Sequence, residues 1–132
     1  MIKKTCFIVL FFLTSCALYQ TRGDKLKEAV FYFNEGVRWG RLDDVLARLD
    51  PEIEEHFLEM HKDFGNMLKV ENCEVVNTTY DKKKGEAEVG IKITWYRIDE
   101  MVLRQTVLLQ KWEDKSVHWT LVSEEYKSGT PF

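Results

Sequence analysis

The chain has 132 residues, of which 45% are hydrophobic, 31% charged and 13% aromatic, and its formal charge is −3. These proportions fit one globular domain with a core of its own and exclude a disordered tail. The acidic balance argues against nucleic acid as a partner.

The first residues do not belong to that domain. Lys3 and Lys4 make a short positive start, and Cys6 to Leu13 is a nearly unbroken apolar run. Such a run is too short to span a bilayer and is typical of a signal-peptide core. It ends in Leu13-Thr14-Ser15-Cys16, which resembles a bacterial lipobox. The resemblance implies that residues 1–15 are removed as a lipoprotein signal peptide. It also implies that Cys16 carries the lipid, on its thiol and on the new amino group. Two or more acyl chains hold a protein stably to a bilayer, whereas one is marginal. Residues 16–23 are then the lipidated cysteine and a short tether. Ala17 follows the cysteine; enterobacterial lipoproteins retained at the inner membrane favour Asp there. The implied address is the bacterial cell envelope, at the outer membrane and facing the periplasm. Loss of Lys3 and Lys4 moves the formal charge from −3 to −5, which argues against strong attraction of the whole domain to anionic lipid. Cys73 is left as the one free thiol, in an apolar alternation that reads as a buried small hydrophobe.

Residues 24–126 read as a single α+β domain, with 127–132 as a C-terminal tail. Leu26, Ala29, Val30, Phe33 and Val37 recur at helical spacing, and Gly40 supplies a left-handed stop. Leu42, Val45, Leu46 and Leu49 restart the pattern over 41–49. Asp50-Pro51 caps a third helix expected to run to about Gly65. Its His56 and His61 are five apart, a poor metal pair, and each reads as a surface or cap residue.

From Leu68 the period becomes two. Strands are expected over 68–80, 86–98, 101–113 and 117–126, with Asp99-Glu100 and Asp114-Lys115 as tight hairpin connections. Two-residue loops would set Trp95 opposite Arg104, Ile91 opposite Leu108 and Ala87 opposite Trp112. The same assumption sets Trp112 opposite Val117, Gln110 opposite Trp119 and Leu108 opposite Leu121. One face then collects Val89, Ile91, Ile93, Trp95, Val102, Leu108, Trp112, Val117, Trp119 and Leu121, and this face receives the helices. The other face carries Tyr96, Leu103, Val107, Leu109 and Val122, a candidate interface for a partner or a second copy.

Phe33 through Trp39, Gly40-Arg41-Leu42-Asp43-Asp44-Val45-Leu46, Leu49-Asp50-Pro51 and the Lys111-Trp112 to Trp119-Thr120-Leu121 hairpin resemble the nuclear transport factor two-like superfamily, also called cystatin-like. The resemblance covers about Asp24 to Tyr126. It implies N-terminal helices packed on one face of a curved four-stranded antiparallel sheet. Enzymes of that superfamily use a pocket carboxylate, often with His or Tyr, for proton transfer. The expected inner face offers no Asp or His. Tyr32, Trp39, Trp95 and Trp112 are candidate pocket-lining residues, and filling a core is the commoner use of such aromatics. No catalytic motif, metal pair or phosphate loop is evident. The expected function is a non-catalytic, lipid-anchored binding or assembly module. Its partner would be an envelope protein or a second copy, met through the outer sheet face. The alternative is a small apolar ligand binder, or an isomerase- or dehydratase-like pocket protein. No cofactor is expected.

Overall fold

The computed structural model describes residues 20–132. The expected signal peptide, Cys16 and residues 17–19 of the tether lie outside the described residues.

Helix α1 spans Arg22–Trp39. It begins ahead of Asp24 because Thr21 caps it. Asp24 N–H donates to Thr21 Oγ1 at 3.1 Å, and Thr21 N–H donates to Asp24 Oδ2 at 3.2 Å. This reciprocal box satisfies donors that a helix start otherwise leaves without partners. Gly40 ends the helix at φ 68°, and the N–H of Arg41 returns to the Gly36 carbonyl at 2.8 Å. Helix α2 is only Leu42–Leu46, shorter than the apolar pattern implies. Leu49 leaves the helix to pair with the sheet: Leu121 N–H donates to Arg48 O at 2.8 Å, and Asp50 N–H donates to Leu121 O at 2.9 Å. Asp50 then caps a single 3-10 turn, Pro51–Ile53, which leads into α3, Glu54–Met60. Helix α3 stops short of Gly65, and a turn closed by Phe64 N–H to His61 O at 3.0 Å follows it. His61 is the C-cap of α3, one of the two roles its spacing implied, and that turn carries its side chain inward, which corrects the surface alternative.

Four strands follow: β1 Leu68–Asp81, β2 Glu86–Arg97, β3 Arg104–Asp114 and β4 Trp119–Gly129. They form a curved, unclosed antiparallel sheet in chain order, with the helices packed against it, an α+β fold. Trp95 faces Arg104, Ile91 faces Leu108 and Ala87 faces Trp112, the register expected, although the connection is Ile98 to Leu103 and not a two-residue hairpin at Asp99-Glu100. The next pair differs from expectation. Trp112 faces Leu121, Gln110 faces Glu124 and Leu108 faces Tyr126. The β3–β4 connection is a longer loop, in which Lys115 N–H donates to His118 O at 3.2 Å and Ser116 takes φ 73°. Register shifts between Lys111 and Trp112 and between Val107 and Leu108 leave Val122 and Lys127 without partners in the ladder. Val102 and Val117, expected inside, are loop residues and exposed.

Trp95, Trp112, Phe33, Leu108 and Leu121 are fully enclosed between helices and sheet. The Phe33 ring meets Trp112 edge-on at 5.4 Å and Phe57 at 5.6 Å. Burial of each such side chain contributes about 1.5–3 kcal/mol relative to exposure. Among the described residues, no helix is long and apolar enough to cross a membrane.

Candidate functional site

The four aromatics expected to line one pocket do not share one. Tyr32 and Trp39 are exposed on α1. Trp39 Nε1 donates to Glu35 Oε2 at 3.0 Å, and the Arg38 guanidinium lies 4.7 Å from its ring centre. Trp95 and Trp112 fill the core; Trp95 Nε1 donates to Thr106 Oγ1 at 2.8 Å and Trp112 Nε1 to Gln110 Oε1 at 3.2 Å. Of the expected interface set, Tyr96, Val107, Leu109 and Val122 are half-buried. Leu103 is exposed, but it belongs to the β2–β3 loop and not to the sheet face.

Two other features stand out. The first is an apolar groove of about 330 Å³ between α1 and β1, lined by Leu26, Val30, Phe31, Cys73 and Val75, with Lys27 among the lining residues. On α1, Leu26 and Val30 stand four apart, so both face the sheet. On β1, the strand runs 14 residues as an edge, and ladder shifts at Glu71 and Val76 add twist. Phe31 and Val75 are both exposed at this groove. The opposite edge of the sheet is covered where Arg48 to Asp50 pair with Leu121. The start of β1 is covered by Asp63 to Gly65, and Arg38 Nη2 donates to Glu71 O at 2.6 Å. Among the described residues, nothing pairs with the outer edge of β1 from Asn72 to Tyr80. Burial pushes the Cys73 thiol up to about 12, with the charges of Glu124 and Glu35 adding to the shift. It is a protonated, unreactive part of the groove wall at neutral pH.

The second feature is a chain of buried polar groups that meets the groove at Asn34. Gln110 Nε2 donates to Asn34 Oδ1 at 3.0 Å and to Glu124 Oε2 at 2.7 Å. Asn34 Nδ2 donates to Gln110 Oε1 at 3.3 Å and to Val30 O at 2.8 Å. Beyond it, Glu124 Oε1 lies 2.9 Å from His61 Nε2, both side chains almost wholly enclosed. The contact is close but off the line of a hydrogen bond, and neither atom has another partner among the described residues. His61 Nδ1 lies 2.9 Å from Phe57 O, an atom that only accepts, so Nδ1 carries a hydrogen. Phe57 stacks on the imidazole at 4.0 Å, and Phe64 and Phe132 close around it.

This acid–base pair escapes sequence reasoning because the Val122 bulge turns Glu124 inward. A two-residue hairpin gives no such placement. Glu124 follows the inward Leu121 by three, a break in strict alternation that hydrophobic spacing does not mark.

No family model matches the chain, and no curated protein matches it. Among solved structures, the chain is similar to one described as TraE protein in complex with 2-(2-furyl)isonicotinic acid. The TM-score is 0.53 at 14% identity, over 83% of this chain and 97% of that one. At that identity the likeness concerns the fold alone.

Proposed function

We propose that this protein is a lipid-anchored, non-catalytic binding module of the bacterial cell envelope, held by Cys16 and built on a nuclear transport factor two-like domain. The lipobox resemblance of Leu13-Thr14-Ser15-Cys16 supports the anchor, and the implied site is the outer membrane, facing the periplasm. The module takes an extended, apolar segment of an envelope partner protein. That segment adds to the β1 edge and sets its side chains into the α1–β1 groove. The observation that carries this reading is a long edge strand left open beside an apolar groove. Open edges of this kind are ordinarily blunted or covered, as the β4 edge is here at Leu121. The groove is a stronger candidate than the outer sheet face, because Phe31 and Val75 are exposed whereas Val107 and Leu109 are half-buried. A non-catalytic role is favoured because the unpartnered atoms of Glu124 and His61 are enclosed.

The groove volume and its content favour one second reading, a small apolar acid as ligand with Lys27 taking the carboxylate. The TraE protein, similar in fold, is bound to a small heteroaromatic acid, which supports this reading as a precedent.

A photocrosslinking residue at Val75 or at Val107, in the lipidated protein in its own envelope, tests the reading. A discrete protein adduct is expected from position 75, and Thr78→Pro on the open edge should abolish it. An adduct from 107 alone would move the partner to the outer face. In parallel, Cys16→Ser should release the protein from the membrane fraction; retention would remove the anchor.

A further inference from the structure

The charge of the domain is unevenly spread, and most of its cations without ion-pair partners lie at one end. Arg38, Arg41, Lys62, Lys92, Arg97 and Arg104 each form an ion pair. Among the described residues, Lys25, Lys27, Arg48 and the Lys82-Lys83-Lys84 turn form none at this end, and Lys69, Lys111 and Lys127 form none elsewhere on the strands. The end they occupy is where α1 begins. Arg22 Nε bonds Asp114 Oδ2 at 2.7 Å, Arg22 Nη1 reaches Lys82 O at 3.5 Å, and Trp119 Nε1 donates to Arg22 O at 3.1 Å. These bonds gather the helix start, the β1–β2 turn and the β3–β4 loop into one surface.

Most acids at this end are engaged locally. Glu113 pairs with Lys115 at 2.6 Å, whereas Glu86 at the start of β2 forms no ion pair among the described residues. Asp114 holds Arg22, and Asp81 accepts from the backbone N–H groups of Lys83 and Lys84. Asp24 belongs to the helix cap, and Glu28 accepts from Gln20 Nε2 at 2.9 Å. Between α1 and the β3–β4 loop lies a cleft of about 390 Å³, with Lys25, Arg48 and His118 in its wall and Gln20 at its rim. Val117 projects from the loop beside it, 88% exposed.

Cys16 precedes Gln20 by four positions, a reach of about 14 Å at full extension. The acylated residue therefore confines this end, and no other, to the bilayer surface. The opposite end, the β2–β3 loop with Met101, is separated from it by the length of the strands, about 40 Å at 3.3 Å per residue.

We infer that the end of the domain bearing the helix start docks on the bilayer itself, with anionic phospholipid phosphates taken by Lys25, Arg48, His118 and the Lys82–Lys84 turn and Val117 entering the headgroup layer. The net charge of the whole chain opposes such a contact, but interactions fade beyond a Debye length of about 8 Å, so the local cations decide. The inference rests on the Cys16 anchor and fixes how the anchored domain stands: β1 runs up from the membrane surface, and its start and the β2–β3 loop point away from it, open to a partner.

The test uses the full lipidated chain with an environment-sensitive fluorophore at Val117→Cys or at Met101→Cys. The protein is reconstituted in phosphatidylcholine vesicles with and without phosphatidylglycerol, and headgroup-level spin-labelled lipid serves as quencher. Quenching at 117 should exceed that at 101 several-fold. It should rise with phosphatidylglycerol, and it should fall in high salt and in the Lys82→Glu/Lys83→Glu/Lys84→Glu variant. A chain that fails to float with vesicles overturns the anchor and this inference together. A chain that floats with equal quenching at both positions overturns the docking alone. Insensitivity to phosphatidylglycerol removes the phosphate recognition. A dimer in detergent that the triple variant dissolves would make the surface a contact between copies instead.

Discussion

Gln110 and Glu124 face each other across β3 and β4, Gln110 Nε2 donating at 2.7 Å to one carboxylate oxygen while the other meets His61. The Glu124 side chain thus joins a neutral amide pair to an imidazole inside an otherwise apolar core. Removing one member leaves the others buried without partners. Glu124→Leu and His61→Leu should each destabilise the fold by about 3–5 kcal/mol, the scale for breaking a buried pair. The double variant should lose less than the sum, because the Glu124–His61 contact is then lost only once, while Gln110 Nε2 keeps Asn34 Oδ1 as an acceptor. Urea midpoints at neutral pH check both; additive losses would show that the pair is not coupled.

Cys73 offers a chemical probe of the groove. Its thiol is pushed up to about 12, chiefly by burial, so alkylation by iodoacetamide at pH 8 should be far slower in the folded protein than in urea. The sign for stability follows. The folded state holds the thiol protonated, while the unfolded thiol ionises near its ordinary value of 9.0. Stability should therefore fall as pH rises from about 9 toward 12, and Cys73→Ala should flatten that alkaline limb.

At the start of α1, the hydrogen bonds from Thr21 hold the Asp24 carboxyl below its ordinary value of 3.8. A depressed carboxylate contributes stability above the unfolded value and loses it as pH falls through the folded one. Asp24→Asn should leave stability less dependent on pH below about 4 than in the parent chain. Acid titration followed by circular dichroism reads the difference, and identical acid limbs would remove the cap from the account.

Two glycines with positive φ should behave differently. A Cβ on Gly129, φ 84°, would overlap the backbone carbonyl of Gln105, whereas one on Gly40, φ 68°, meets nothing within 4 Å. Gly40→Ala should cost about 1–2 kcal/mol for left-handed backbone alone. Gly129→Ala should cost more, because the obstacle is main chain. Thermal melts of the two variants give the comparison, and equal losses would mean that β4 shifts to make room.

Much of the architecture was legible because alternation in β2 and β3 is unbroken. Ala87, Val89, Ile91, Ile93 and Trp95 point inward together, and a one-residue slip would expose them all. The Gly40 stop and the Asp50 cap were legible for the same local reason. The β3–β4 pairing was not. Its loop runs through Ser116 at φ 73°, and Val122 is an extra residue in the ladder; neither leaves a mark on hydrophobic spacing. That misplacement concealed Glu124. His61 was concealed because α3 ends at Met60 without a Gly or Pro to announce it. The groove depends on how α1 lies across β1, a long-range relation that no window of sequence contains.

The fastening at Arg22 bears on how the domain withstands mechanical load. A pull delivered through the residues before Gln20 reaches Arg22, whose side chain grips Asp114 and whose carbonyl is held by Trp119. Tension then passes into two neighbouring strands and runs along them, where many ladder bonds resist shear at once. Without that fastening, the same force would peel α1 away one turn at a time.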